Sequence, residues 1–343
     1  MPQKAPARSL SQSTGELALI DQIRKRSASS SLGRTSVRLG IGDDCAILAP
    51  KAGQELLVTT DFSLEGRHFR RDWHSPASIG HRALARGLSD LAAMGAKPIA
   101  AFLSLALPKP VAKNTVWIDG FLDGLLALAK QTGVPLAGGD TSESPTDHVL
   151  ADIVLLGSAA SGQALRRSGA RAGDLIYVTG VLGGAAAELN ALTGTPRAFA
   201  QASASDDHPH LFPQPRLAVG QALLKRRLAT ACIDLSDGLS TDLTHLCEAS
   251  GVAAELNIAQ LPAHPLTTAL DDADQIAAVL HGGEDYELLF TASPTVKMPR
   301  SIAGVPITQI GRMLKPRKGR AQITVLSGGT RFDVAPQGWE HLR

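Results

Sequence analysis

Carboxylates on turns beside apolar runs recur down this 343-residue chain. Asp43 and Asp44 lie between Ile41 and the run Ala46-Ile47-Leu48, and Asp61 closes Leu56-Leu57-Val58 with Thr59 and Thr60 beside it. Ser89-Asp90 falls inside an apolar stretch, and Asp140 follows Gly138-Gly139. Asp234 and Asp237 bracket Leu235-Ser236, and Gly282-Gly283 precedes Glu284-Asp285. A carboxylate so close to core segments is costly unless it is paired, hydrogen-bonded or bound to a cation. Oxygen ligands on turns at strand ends suit Mg²⁺, which prefers carboxylates, waters and phosphate oxygens to thiolates or imidazoles. The pattern points to Mg²⁺-assisted phosphoryl transfer.

Other chemistries fit less well. Glycosidases and aspartic proteases need one carboxylate pair with separated pKa values, whereas here five acid-bearing turns are rich in Ser, Thr and Gly. Asp234-x-x-Asp237 is one residue too wide for the D-x-D of an aspartyl-phosphate phosphatase, and His-rich zinc spacing is absent. Gly180-Val-Leu-Gly183-Gly184, between a strand and a helix, could present backbone N–H groups to a phosphate or serve only as a tight turn. It matches neither G-x-G-x-x-G nor a P-loop. His68 reads as an ordinary surface or satisfied histidine. Arg166-Arg167 reads as a solvated pair with phosphate contact open to it.

The elements that must position these acids are readable from periodicity. Strands are predicted near 45–49, 55–60, 99–106, 134–138 and 149–156, with helices over 76–95 and 113–132. Stepping about 100° per residue from Ile79 brings Ala83, Gly87, Asp90 and Met94 within about 80° of one another. Asp90 therefore sits at the edge of a buried face lined by small residues. A carboxylate facing water would share that position, but a ligand role fits the small neighbours better.

Ser13-x-x-Glu16 suggests a capping box opening a short helix, and Arg26 to Ser36 reads as a flexible connection. A second α/β unit starts near Arg167, with strands at Asp174–Thr179 and Ala231–Asp234 and helices over 185–192, 216–227 and 239–249. Residues 195–215, rich in Pro, Ser and Asp, read as a surface excursion. Asp206, Asp207, Asp271, Asp272 and Asp274 read as solvated acidic loops.

Bulk properties agree with a soluble enzyme of two parts. The length exceeds the roughly 250–300 residues at which one core stops growing. We expect an α/β (α+β) chain with a disordered tail over residues 1–14 and an amino-terminal Mg²⁺- and phosphate-binding domain over 15–158. That domain would carry a mixed sheet with helices on one face. A carboxy-terminal α/β domain would span 159–343. A net charge of +2 and 4% aromatics argue against nucleic acid or a membrane as partner. Basic residues concentrate at both ends, leaving a net of −10 between residues 41 and 295. Three cysteines without C-x-x-C, and no signal-peptide apolar region, suit the cytoplasm.

At these residues the chain resembles the thiamine-monophosphate kinase family, in the superfamily of aminoimidazole ribonucleotide synthetase and selenophosphate synthetase. The resemblance rests on Ile41-Gly-Asp-Asp-Cys-Ala46, Thr59-Thr-Asp61, Glu65-Gly-x-His-Phe69 and Leu88-Ser-Asp-Leu-Ala-Ala-Met-Gly-Ala96. It continues through Gly138-Gly-Asp-Thr141, Arg167-Ser-Gly-Ala-x-x-Gly-Asp174, Ile233-Asp-Leu-Ser-Asp-Gly238 and His281-Gly-Gly-Glu-Asp-Tyr-Glu-Leu288. It implies Mg²⁺ ligands at Asp44, Thr59, Thr60, Asp61, Asp90, Asp140, Asp234 and Asp237, several ions together, with Asp61, Asp140 and Asp237 central to catalysis. It implies ATP contacts from Gly139, Asp140, Arg167 and Ser236, and thiamine monophosphate contacts from His68, Glu284 and Trp339. It also implies a homodimer formed through the amino-terminal sheets.

Three positions depart from the family's usual pattern. Gly87 stands where Asn is common, Ser142-Glu-Ser-Pro145 replaces Thr-Arg-Gly-Pro, and His281 replaces Ser. The expected reaction is direct phosphoryl transfer from ATP to thiamine monophosphate. The alternatives are a Mg²⁺-dependent phosphohydrolase, another ATP-using member of the superfamily, or a nucleotide-binding protein without turnover.

Overall fold

The chain builds two sheets that meet along one long helix. The computed structural model describes residues 16–29, 36–39, 41, 47–316 and 322–338. The expected tail over 1–14, the residues Asp43, Asp44 and Cys45, and Trp339 lie outside them. The first unit runs α1 (Glu16–Ser29), β1 (Val37–Leu39), β2 (Ile47–Leu48), β3 (Gln54–Leu64) and α2 (Pro76–Ala93). It continues with β4 (Lys97–Leu107), α3 (Lys109–Ala112), α4 (Thr115–Thr132), β5 (Leu136–Glu143) and β6 (Leu150–Ala160). Its four-stranded sheet has the order β3-β6-β4-β5, with β4 and β5 parallel and the other pairs antiparallel.

Period-two alternation gives that sheet two unlike faces. Leu57, Ile153, Leu155, Leu103 and Leu105 point to the helix side and are buried under α2 and α4. The other face shows Leu56, Val58 and Phe62 at 46%, 62% and 61% exposure. Asn114 caps α4 through its side chain and Gly133 ends it in the left-handed region, as the Gly signal predicts.

The second unit runs β7 (Leu175–Thr179), α5 (Gly184–Gly194), α6 (Leu217–Lys225), β8 (Ala231–Asp234), α7 (Leu239–Ser250) and β9 (Ala253–Asn257). After α8 (Asp272–His281) come β10 (Leu288–Ala292), β11 (Ser301–Ile302), β12 (Val305–Leu314), β13 (Ile323–Ser327) and β14 (Thr330–Val334). The sheet order is β14-β13-β9-β12-β7-β10-β8, with β11 on β12, and only β13–β9 is parallel. The two units interlock where α6 lies on α2. A Cβ on Gly220 would sit 1.9 Å from the Ala92 carbonyl oxygen, so only glycine permits that approach.

Three local expectations give way. The first helix runs through Ser29, into the segment read as a connection. Asp271, Asp272 and Asp274 are not loop acids: they form the first turn of α8, where Asp271 accepts from the Asp274 N–H at 2.8 Å. Residues 195–215 are no mere surface excursion, for His210, Leu211 and Phe212 are 2%, 2% and 5% exposed. Glu188 of α5 anchors that segment, accepting from the N–H groups of His210 and Leu211 at 2.7 and 3.2 Å.

Candidate functional site

Helix α2 touches both sheets, and the acids meet there. Asp61 shares a rung of the first sheet with buried Ile153 and Leu103, so it points to the helix side. Arg86 of α2 donates to its Oδ1 from Nε at 3.0 Å and Nη2 at 2.9 Å. One turn on, Asp90 accepts from the Thr59 hydroxyl. The neighbouring Ser89 hydroxyl reaches the other way, donating to Asp234 Oδ2 at 2.7 Å. Thus β3 and β8, from different sheets, bring their carboxylates to one helix.

The electrostatics of this cluster are unresolved in the protein's own residues. Burial, with the nearby charge of Asp90, pushes Asp234 up to about 7. Burial also raises Asp61 against the opposing pull of Arg86, and raises Asp90 against Thr59 and Arg167. Asp242, at the start of α7, is held well above its usual range by burial, then by Asp234 and Asp237. It stays so although it accepts from the Asp237 and Gly238 N–H groups at 3.1 and 3.0 Å. Asp237, Asp242 and His245 offer ligand atoms within 4.8 Å of one another. Crowded, desolvated carboxylates with too little positive charge call for a cation. Their all-oxygen core fits Mg²⁺.

The other half of the site is built on a strained loop. Glu284 and Tyr286 have φ of 68° and 50°, a conformation costly for residues other than glycine. The loop is held against the β8 turn: Glu284 N–H donates to Ser236 O at 2.8 Å and Tyr286 N–H to Leu235 O at 2.9 Å. Glu284 Oε1 accepts from Arg82 at 2.7 Å and Arg86 at 3.3 Å, while His210 Nδ1 lies 3.3 Å from Oε2. Burial would raise this carboxyl, but Arg82, His210 and Arg86 outweigh it and hold the group well below its usual range. Arg82 also donates to His68 O at 2.9 Å, and His68 Nδ1 accepts from Leu64 N–H at 3.0 Å.

Asp61, Thr59, Asp90, Asp234, Asp237, Ser236, Arg167 and Glu284 therefore gather at the seam, with His68 tied to it through Arg82. Asp140, Gly139 and Thr60 do not join them within one chain. Asp140 pairs with Ser104, which pairs with Asp152 and then Phe62, so its side chain takes the face opposite to Asp61. It also stands three strands away, about 14 Å at the usual spacing. Gln337 and Gly338 donate to Ser240 and Thr241 beside Asp237, at 3.4 and 3.0 Å.

Sequence reasoning missed Arg82, Arg86 and His210. A signal existed for the first two: Arg82, Arg86 and Asp90 are spaced by four on one helix and so share a face. The departure at Gly87 also gains a reason. A Cβ there would come within 2.8 Å of Leu155 Cδ1, so α2 sits close on β6. His281 meets the Ser240 hydroxyl at 2.8 Å. At the third departure, Ser144 N–H donates to Leu107 O at 2.8 Å.

Models of the AIR synthase related protein family match this chain, the N-terminal domain over residues 42–159 and the C-terminal domain over 171–298. Thiamine-monophosphate kinase of Salmonella typhimurium is 42% identical over 337 residues, 96% of this chain and 98% of that one. The Bacillus subtilis protein of that name is 34% identical over 96% of this chain and 99% of its own length. Among solved structures, thiamine-monophosphate kinase from Stenotrophomonas maltophilia superposes with a TM-score of 0.78 at 38% identity, covering 91% and 96% of the two chains. AaThiL complexed with AMPPCP and TMP gives 0.72 at 28% identity, covering 97% and 100%.

Proposed function

This chain belongs to the thiamine-monophosphate kinase family of AIR synthase related proteins, and on that premise we propose that phosphoryl transfer takes place at the seam under α2. The reaction is ATP-dependent phosphorylation of thiamine monophosphate to thiamine diphosphate. An oxygen of the acceptor phosphate attacks Pγ in line, the bond to the bridging oxygen breaks, and ADP leaves. The acceptor's second pKa is about 6, so it is already nucleophilic at neutral pH and needs no strong protein base. The barrier is repulsion between two anions, and the site answers it by positioning and charge.

Asp61, Asp90, Asp234 and Asp237, with the Thr59 hydroxyl, would hold Mg²⁺. Bound there, the ions neutralise the triphosphate oxygens. Family resemblance adds Asp44, Thr60 and Asp140 to the ligand set, and Gly139, Asp140, Arg167 and Ser236 to the ATP contacts. Burial raises Asp90 and Asp234, and Arg167 opposes that rise at both, so it stands within electrostatic reach of the cluster. Glu284, His68 and Trp339 would receive thiamine monophosphate, whose thiazolium cation and amino group suit an ionised carboxylate. The observation that carries this reading is the meeting of Asp61, Asp90 and Asp234 on one helix with Glu284 an arginine's length away.

The exposed apolar face of the first sheet supports a homodimer. Its two edge strands, β3 and β5, have no further neighbour among the described residues, so a second copy can join sheet to sheet. On this reading, that pairing would bring Asp140 to the second copy's site. Phe62→Asp should dissociate the dimer in sedimentation. No described helix is long and apolar enough to cross a membrane, and buried free thiols at Cys232 and Cys247 support a cytoplasmic setting.

One assay tests the reaction: ADP and thiamine diphosphate followed together, with and without thiamine monophosphate. Equal amounts of both, only with the acceptor, are expected. Phosphate released from ATP without the acceptor would make the enzyme a hydrolase, and nucleotide binding without turnover would make it a binding protein.

A further inference from the structure

Beyond Glu284 lies a pair of imidazoles that the reaction does not use directly. His210 is 2% exposed and His74 4%, and their Nε2 atoms are 3.0 Å apart. His210 comes from the segment between α5 and α6, His74 from the turn before α2. At the outer end, His74 Nδ1 lies 3.2 Å from the Arg70 N–H and 3.1 Å from the Arg70 carbonyl. At the inner end, His210 Nδ1 faces Glu284 Oε2 at 3.3 Å, with Arg82 Nη1 also 3.3 Å away.

The proton order along this row follows from the inner end. Two arginines at Oε1 keep Glu284 ionised, and an ionised carboxylate accepts but does not donate. His210 Nδ1 must then carry the proton, which leaves its Nε2 as an acceptor. His74 Nε2 supplies that hydrogen, so His74 Nδ1 accepts from the Arg70 N–H. Burial keeps both rings neutral, lowering His74 to about 3 and His210 in the same direction. Each link from Arg70 N–H to Glu284 then has one donor and one acceptor, while Arg82 Nη1 donates to the His210 carbonyl rather than to its ring.

The row decides where Glu284 can bind anything else. A carboxylate has about four lone-pair directions. Arg82 and Arg86 take those on Oε1 and His210 takes one on Oε2, which leaves one on Oε2 for the cleft. The side chain is 22% exposed, so that direction is reachable. Without the His210 bond, Oε2 would be free to turn about the arginine fork.

We propose that His210 and His74 are positioning residues for Glu284, a buried imidazole pair that aims its one free lone pair at the substrate's donor group. This rests on the reading above that Glu284 meets thiamine monophosphate. The segment carrying His210 thereby sets acceptor affinity from outside the contact shell.

Steady-state kinetics with four isosteric variants and one control test it. An Asn amide nitrogen stands near Nδ1 and a Gln amide nitrogen near Nε2. His210→Asn should keep the donor to Glu284 and leave KM for thiamine monophosphate within about threefold, while His210→Gln should raise it roughly tenfold. The pattern should cross over at His74, with Gln tolerated and Asn not. KM for ATP should stay unchanged in all four. A purely structural role would give no crossing and would move both KM values, which would overturn the proposal. Glu284→Gln is the control. If it leaves KM for thiamine monophosphate unchanged, the contact assigned to Glu284 fails. If it raises KM while the four histidine variants behave alike, only the positioning role fails. Thermal melting identifies any variant that does not fold, and the other histidine position then carries the crossing.

Discussion

Glu284, partly buried, and Asp234, fully buried, are carboxylates beside neighbouring strands of the same sheet, yet the fold treats them oppositely. Glu284 receives Arg82, Arg86 and His210, and its charge is secured well below the usual carboxylate range. Asp234 receives one hydroxyl from Ser89, faces Asp90, and is pushed up to about 7. One half of the site is complete in itself, while the other holds excess negative charge in a desolvated place. On the proposed assignment, the protein would build its organic-substrate contact in advance and leave its metal contacts as an unmet demand. Cations bound there with ATP would relieve repulsion that folding alone leaves in place.

The largest expected effect comes from the incomplete half. Asp61→Asn should cut turnover by roughly a thousandfold and abolish its Mg²⁺ dependence, measured as initial rates over a Mg²⁺ series. Asp140→Asn should do the same if the second copy brings it to the site. Near-normal kinetics in both would remove the ligand assignment.

Stability should separate the two halves in sign. Glu284→Ala leaves Arg82 and Arg86 facing each other without their shared anion and should lose about 3–5 kcal/mol in urea unfolding. Asp234→Asn keeps an acceptor for Ser89 and removes a charge the fold disfavours. Its metal-free form should match or exceed the wild type, by about 4 kcal/mol at most at neutral pH. A loss in both variants would break the contrast.

Acidity sharpens the same difference. The folded pKa of Asp234, about 7, lies above an unfolded value near 3.9, so the native state binds more protons and metal-free stability falls as pH rises through that window. His74, at about 3, lies below its unfolded value near 6.5, so its contribution is lost as pH falls through that range. Added Mg²⁺ should raise the melting temperature more at pH 8 than at pH 5, and Asp234→Asn should shrink that gap. The smallest effect is expected at Gly87→Asn, about 1 kcal/mol or less, because the Leu155 side chain can yield.

Much of this contrast could be read in the sequence, but only its acidic half. Asp61, Asp90 and Asp234 announce themselves through glycines and apolar neighbours, and the helical period places Asp90 on the edge of the α2 face. The basic half is hidden because its contacts are distant in the chain: Arg82 lies 202 residues from Glu284 and 128 from His210. Residues 195–215 mislead by composition, since Pro, Ser and Asp suggest solvent while Glu188 and Arg82 hold the buried stretch around His210 through hydrogen bonds to its backbone. Strands β12 and β14 escaped notice because β12 is mostly half-exposed and β14 is nearly all exposed, so alternation is weak. Asp140 shows the reverse: its motif is plain, but strand parity puts it on the other face of its own sheet.

Equilibrium unfolding of the wild type and Asp61→Asn, with Mg²⁺ and a non-hydrolysable ATP analogue, probes the unmet demand most directly. At a hundred times its dissociation constant the Mg²⁺–nucleotide pair should add about 2.7 kcal/mol to the wild type and little to the variant. An equal gain in both proteins, or a full wild-type gain without Mg²⁺, would contradict the account.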